Sequence, residues 1–170
     1  MSEARELLLL RHGIAEERTP EREDASRALT PRGERRTRAV LERLGGLALG
    51  CELMVTSPLV RARQTAELAR EAGLAGRLLE AAELSPEADP DPLLESCLAG
   101  QPPWGGWRRL ALVGHEPDLS VLAARLLGAP PGSLELRKAG VILLALPPQG
   151  APWGSSTLRL LLSPRALLGD

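Results

Sequence analysis

Residues 7–13, LLLLRHG, decide how the chain is read. Four consecutive leucines describe a strand buried on both faces, and such strands belong to parallel sheets covered by helices. The apolar run stops at Arg11-His12-Gly13, which brings a guanidinium, an imidazole and a glycine to one strand end. Ligands of open α/β sheets bind outside the carboxyl ends of the strands. His12 is therefore the centre of a candidate active site, and the rest of the chain is read for groups that join it.

The 170 residues fit one domain, 1–170, long enough for a sheet covered on both faces. A formal net charge of −1 argues against general affinity for nucleic acid or for anionic membranes. The apolar runs are too short to span a bilayer, and MSEARELLLLRHG lacks a signal peptide's basic leader and cleavage site, so a cytoplasmic location is expected. Cys51 and Cys97 form no C-x-x-C pair and have no histidine near them in sequence. They read as buried thiols in a reducing compartment, not as a disulfide or a metal site. With no Phe and no Tyr, the core must be aliphatic, mostly leucine. Lys138 is the one lysine beside many arginines, a bias that points to no function.

Residues 14–29 are polar, charged and without period, and read as a loop. Thr30-Pro31 gives an N-cap and a first-turn proline for a helix with Val40, Leu41, Leu44 and Leu47 on one face, weakened or ended at Gly45-Gly46. Its arginines 32, 35, 36 and 38 have the wrong sign for a helix N-terminus and read as a solvated face in preference to an anion-attracting one. Leu53 to Thr56 is a second strand. Ser57-Pro58 then repeats the cap signal for a helix that turns Leu59, Ala62, Ala66 and Ala69 to the sheet, carries Arg61 in its first turn and ends at Gly73. Leu78-Leu79 reads as an edge strand, and a short helix is expected from about Pro92 to Leu98. Trp104 and Trp107 in QPPWGGW pin a loop to the body, with a contact to a bound protein as the alternative. Arg109 to Gly114 is a fourth strand, followed at once by His115 and by a helix begun at Glu116-Pro117-Asp118 with Leu119, Leu122, Ala123, Leu126 and Leu127 at helical spacing. The runs 140–146 and 158–162 suit an antiparallel hairpin, and a short tail follows Ser163-Pro164.

Three strand-to-helix junctions thus carry polar chemistry: His12, Ser57 with Arg61, and His115. If the strands are parallel neighbours, these groups share one rim with two helix N-termini, which suit a phosphate, and with bidentate arginines. A lone histidine at a strand end is more often structural. Here the chain's only two stand at equivalent junctions beside a glycine, which favours chemistry.

LLLLRHG, SPLVRARQTA and LALVGH, in that order, resemble the signature of the histidine phosphatase (phosphoglycerate mutase-like) superfamily. RALTPRG, ELSPEAD, KAGVILLAL and LLLSP are similar to its SixA branch of phosphohistidine phosphatases, so that the resemblance covers nearly the whole chain. It implies an α/β fold, a three-layer α/β/α sandwich with a mostly parallel central sheet, and a metal-independent phosphatase without cofactor. By the resemblance His12 is the nucleophile, Arg11 and Arg61 clamp the phosphoryl oxygens, and His115 completes the pocket. Two guanidiniums beside His12 would favour its neutral, nucleophilic form and stabilise phosphoryl charge in the transition state.

Gly13, Gln64, Ser57 and the backbone around Glu116 are further candidate phosphate contacts, although a cap role suffices for Ser57. Glu83 occupies the region where many members place a general acid, against the alternative of a solvated loop carboxylate. SixA-like members manage without a dedicated acid. Arg18 replaces the asparagine that mutase-like members carry six residues after the first histidine, and short connections imply a shallow site. The expected substrate is phosphohistidine on a protein, such as a histidine-containing phosphotransfer domain, with a small phosphomonoester as the alternative. A non-catalytic phospholigand-binding module and a two-histidine metal site are the remaining readings. The last lacks a third protein ligand and places arginines against a cation.

Overall fold

Successive side chains of a strand face opposite sides, and β1 (Glu6–Arg11) uses both. In the computed structural model, which describes residues 4–170, Leu7 and Leu9 enter one hydrophobic cluster and Leu8 and Leu10 another. Each buried leucine contributes about 2 kcal/mol relative to an exposed one, so β1 ties the two cores together. The sheet order is β3-β2-β4-β1-β5-β6, formed by β2 (Cys51–Thr56), β3 (Ala75–Glu80), β4 (Arg109–Gly114), β5 (Val141–Ala145) and β6 (Thr157–Leu162). The first four strands are parallel, and the β5–β6 hairpin adds two antiparallel strands at one side.

Helices α1 (Pro31–Gly46) and α2 (Val60–Glu71) pack on the face shared by Leu8 and Leu10. Helices α3 (Asp91–Leu98) and α4 (Asp118–Leu127) cover the other. This is the expected three-layer α/β/α arrangement with a mostly parallel sheet. Thr30 caps α1 by accepting from Gly33 N–H at 2.9 Å. Two of the α1 arginines form surface ion pairs, Arg38 with Glu34 and Glu71 and Arg36 with Asp170. Trp107 donates its indole N–H to the Trp104 carbonyl at 3.0 Å, and Arg5 stacks 4.6 Å from its ring, so the tryptophan loop is pinned. Among the described residues no helix is long and apolar enough to cross a membrane.

Four local expectations are corrected. Leu47 lies past the end of α1 and is exposed, because the helix runs through both glycines and the chain turns there. Ser57 is not the N-cap of α2, whose cap position is Leu59. Residues 14–29 contain a 3-10 turn at Asp24–Ser26 and a bridge between Ala15 and Leu29. The tail folds as α5 (Pro164–Leu168), capped by Ser163 accepting from Ala166 N–H at 3.2 Å.

Gly33 sits where α1 presses on the segment leaving β1: a Cβ there would stand 2.0 Å from the Ile14 carbonyl oxygen. Gly46, at the other end of the helix, has open space around it. Gly33→Ala is expected to cost about 1–3 kcal/mol through overpacking, whereas Gly46→Ala is neutral or stabilising by up to about 1 kcal/mol through helix propensity. Denaturant unfolding of the two variants checks the opposite signs.

Candidate active site

β1 ends at Arg11, and the chain leaves the sheet through His12. The His12 N–H donates to the Gly114 carbonyl at 3.1 Å, and Ala139 N–H donates to the carbonyls of Arg11 and His12. The histidine is thereby pinned between the end of β4 and the loop before β5. Its imidazole is 6% exposed, with Nδ1 2.7 Å from the Gly13 carbonyl oxygen. A carbonyl only accepts, so the hydrogen-bond network assigns the ring proton to Nδ1 and leaves a lone pair on Nε2. Arg61 Nε donates toward that Nε2 at 3.3 Å. Burial, reinforced by His115, Arg61 and Arg11 and opposed by the Gly13 bond, pushes the His12 pKa down from 6.5 to about 3.

His115 follows β4 directly, and its ring centroid lies 5.2 Å from that of His12. Its Nε2 is 2.7 Å from Ser57 Oγ, which itself accepts from Leu59 N–H at 3.3 Å. Among the described residues the Ser57 hydroxyl proton has no other acceptor, so the hydrogen-bond network assigns it to Nε2 and assigns the His115 ring proton to Nδ1, which is buried and without a hydrogen-bond partner there. Burial, followed by Arg61, pushes His115 down to about 4, with Asp24 opposing and Arg11 and Arg27 reinforcing the shift.

Arg61 is 2% exposed. Its Nη1 donates to the Asp24 carbonyl at 2.9 Å and its Nη2 to the Asp24 carboxylate at 3.2 Å. The same carboxylate takes Arg27 Nε at 2.8 Å and Arg18 Nε at 3.2 Å. Although partial burial works the other way, Arg27 and Arg61 hold Asp24 below its ordinary value. Arg11 donates from Nη1 to the Leu136 carbonyl at 3.0 Å, while its Nε is buried and unpartnered among the described residues. The resulting cavity, about 240 Å³, is lined by Arg11, His12, Ala15, Arg18, Arg27, Arg61, Pro86, His115, Glu116 and Lys138. Two neutral imidazoles, one of them with Nε2 unprotonated, and several guanidiniums around one small space suit a tetrahedral anion open to attack at its centre.

Arg11, His12, Arg61, His115 and the Glu116 side chain are thus brought together, and other predicted contacts lie elsewhere. Gly13 donates its N–H to Thr65 Oγ1 at 3.1 Å, and a Cβ on it would stand 2.2 Å from Thr37 Oγ1, so the glycine permits close packing. Ser57 is fully buried and engages His115. The Glu116 carboxylate accepts from Ser120 N–H at 2.9 Å, occupying the start of α4 that sequence reasoning left open for phosphate. Gln64 Oε1 accepts from Leu29 N–H at 2.7 Å and lines a separate, larger cleft of about 510 Å³ between α2 and β3, which contains no histidine. Glu83 lines a narrow cleft that shares His115 but not His12. No group of three or more potential metal ligands occurs among the described residues. Sequence reasoning missed Asp24, Arg27 and Lys138. The first two sit in a charged segment with no periodicity, and the only signal for Lys138 was that it is the one lysine.

Residues 7–83 match the model of the histidine phosphatase superfamily (branch 1). The chain is 42% identical over 146 residues to an uncharacterized protein of Picosynechococcus sp., an alignment spanning 81% of this chain and 82% of that relative. Its fold is similar to that of the protein histidine phosphatase SixA complexed with tungstate, with a TM-score of 0.79 and 24% identity over 95% of this chain and 99% of the other. A mycobacterial glucosyl-3-phosphoglycerate phosphatase is similar in fold at a TM-score of 0.68 and 22% identity, over 93% and 97% of the two chains.

Both imidazoles bind protons more weakly in the folded protein than in the unfolded chain, where the value is 6.5. Their contribution to stability is fully present above that value and is lost as pH falls toward about 4. The melting temperature is expected to drop between about pH 7 and pH 5, before most carboxylates titrate, and to drop less for His12→Asn. Thermal melts at the two pH values check this, and equal drops contradict it.

Proposed function

Because the chain belongs to the histidine phosphatase superfamily and is a phosphatase, we propose that it hydrolyses phosphohistidine displayed on a protein partner, such as a histidine-containing phosphotransfer domain. The observation that carries this reading is the His12 imidazole, held neutral with Nε2 unprotonated in a cavity walled by guanidiniums. A neutral nucleophile and fixed positive charge are what in-line phosphoryl transfer requires of a protein. The tungstate bound by the structurally similar SixA is a tetrahedral oxyanion like phosphate, which supports a phosphoryl pocket here.

In the first step His12 Nε2 attacks phosphorus, the bond from phosphorus to the leaving nitrogen breaks, and that nitrogen takes up a proton from solvent water. In the second step water attacks phosphorus and gives up a proton to solvent, the bond from phosphorus to His12 Nε2 breaks, inorganic phosphate departs and His12 returns to its neutral form. Arg11 and His115, which line the cavity beside His12, are the donors assigned to the phosphoryl oxygens, and Arg11 Nε and His115 Nδ1 have no hydrogen-bond partner among the described residues. Arg61, steadied by Asp24, adds charge beside the nucleophile. Ser57 acts through His115 by setting its tautomer. Glu83 lines a cleft that contains His115 but not His12, so the reaction is assigned no dedicated acid from the protein. Two unpaired buried thiols, Cys51 and Cys97, support a cytoplasmic location.

A small phosphomonoester is the second reading. It is favoured by the similarity in fold to a phosphatase of glucosyl-3-phosphoglycerate.

A brief reaction with labelled phosphoryl donor, quenched in alkali and mapped by peptide, is expected to place acid-labile, alkali-stable label on the peptide containing His12. His12→Ala should give no label and release phosphate at least about 10³-fold more slowly. Equal rates in wild type and variant would remove the catalytic reading. Run on a phosphorylated phosphotransfer domain and on sugar and nucleotide phosphates, the same assay separates the substrate classes: turnover of the small esters alone assigns the second.

A further inference from the structure

The cavity around His12 holds more positive charge than a phosphoryl group matches. Five cationic side chains line it, Arg11, Arg18, Arg27, Arg61 and Lys138. Two carboxylates oppose them: Glu116 in the lining, and Asp24, ion-paired to Arg18, Arg27 and Arg61. With both histidines neutral, three positive charges remain, and a phosphoryl dianion accounts for two of them. The remaining cation is identifiable. Arg61 and Arg27 are committed to Asp24, and Arg11 to the Leu136 carbonyl. Lys138 lines the cavity with no ion pair or hydrogen bond among the described residues. Arg18 is 78% exposed and holds Asp24 through a single 3.2 Å contact, so it is the guanidinium most easily turned to a ligand.

Lys138 is also well placed to be selective. It directly precedes Ala139, whose N–H donates to the carbonyls of Arg11 and His12 at 3.1 Å. The backbone that carries the ammonium is therefore fixed against the backbone of the nucleophile, which keeps Lys138 at the wall of the cavity. Ala139 has a positive φ of 59° and is 3% exposed, so the turn is locked by its surroundings and not by its own preference.

We propose that Lys138, assisted by Arg18, forms a second anion site that recognises a carboxylate or phosphate carried by the substrate beside the transferred phosphoryl group. This rests on the phosphatase reading and narrows its substrates to those with a second negative charge. On a protein, that charge is an acidic side chain flanking the phosphohistidine; on a small molecule, it belongs to the ester itself.

The test compares kcat/KM for matched pairs on wild type, Lys138→Ala and Lys138→Glu. One arm uses phosphohistidine peptides with Glu or Gln beside the modified residue, and the other uses 4-carboxyphenyl phosphate against phenyl phosphate. Wild type is expected to favour the charged member of a pair by about tenfold, the scale of one added charge-assisted contact, and less at high salt. In Lys138→Ala the ratio should fall to near one, and in Lys138→Glu it should invert. Discrimination in the peptide arm assigns an acidic protein partner, and discrimination in the ester arm alone a small substrate. Ratios near one for wild type in both arms, or a preference that survives both substitutions, overturn the proposal. Failure of the phosphatase reading looks different, because none of the four compounds would then turn over in a His12-dependent way.

Discussion

Two imidazoles must stay uncharged inside a ring of permanent cations. Guanidinium groups do not release their protons in proteins, so Arg11, Arg61 and Arg27 are fixed charges and the histidines are the groups that yield. Two imidazoliums 5.2 Å apart would repel by about 3 kcal/mol at an effective dielectric of 20. Burial adds a further penalty to any charge placed there. Each neutral ring keeps one N–H and one lone pair, and two neighbours decide which nitrogen carries which. The Gly13 carbonyl accepts a hydrogen bond from His12 Nδ1–H, and the Ser57 hydroxyl donates one to His115 Nε2. Neither neighbour lines the cavity, yet the chemical character of both rings depends on them.

The sheet makes this arrangement possible. β2, β4 and β1 are consecutive parallel neighbours, so Ser57, His115 and His12 emerge from adjacent strand ends on one rim. Arg61 stands in the first turn of the helix after β2 and reaches the nucleophile while buried. Its far end would be an uncompensated buried charge without Asp24, and the otherwise irregular segment 14–29 carries that carboxylate into place. Gly13 and Gly33 let this segment and α1 close on one another, since a side chain at either position would overlap its neighbour.

What could be read before any coordinates follows from how local each signal is. The leucine run, the Thr30-Pro31 cap and the two histidines after apolar strands are written in a few adjacent residues, and the structure places them as expected. Ser57-Pro58 reads as a cap by the same local rule, and here the rule misleads, because the hydroxyl meets His115 58 positions away in sequence. Asp24 and Lys138 have no local signature. Their meaning lies in what the fold brings beside them, 37 positions away for Asp24 and Arg61. Gln64 illustrates the converse, since one helical turn from Arg61 suffices to carry a side chain out of the cavity and into the neighbouring cleft.

The protonation pattern can be seen directly by two-dimensional 15N NMR of the imidazoles in the ligand-free protein near pH 6. The structure predicts two neutral rings, each with its proton on Nδ1, and a Ser57→Ala variant in which His115 alone changes tautomer. A charged ring at that pH, or His12 carrying its proton on Nε2, would contradict the view that the fold prepares a nucleophile by burial among cations.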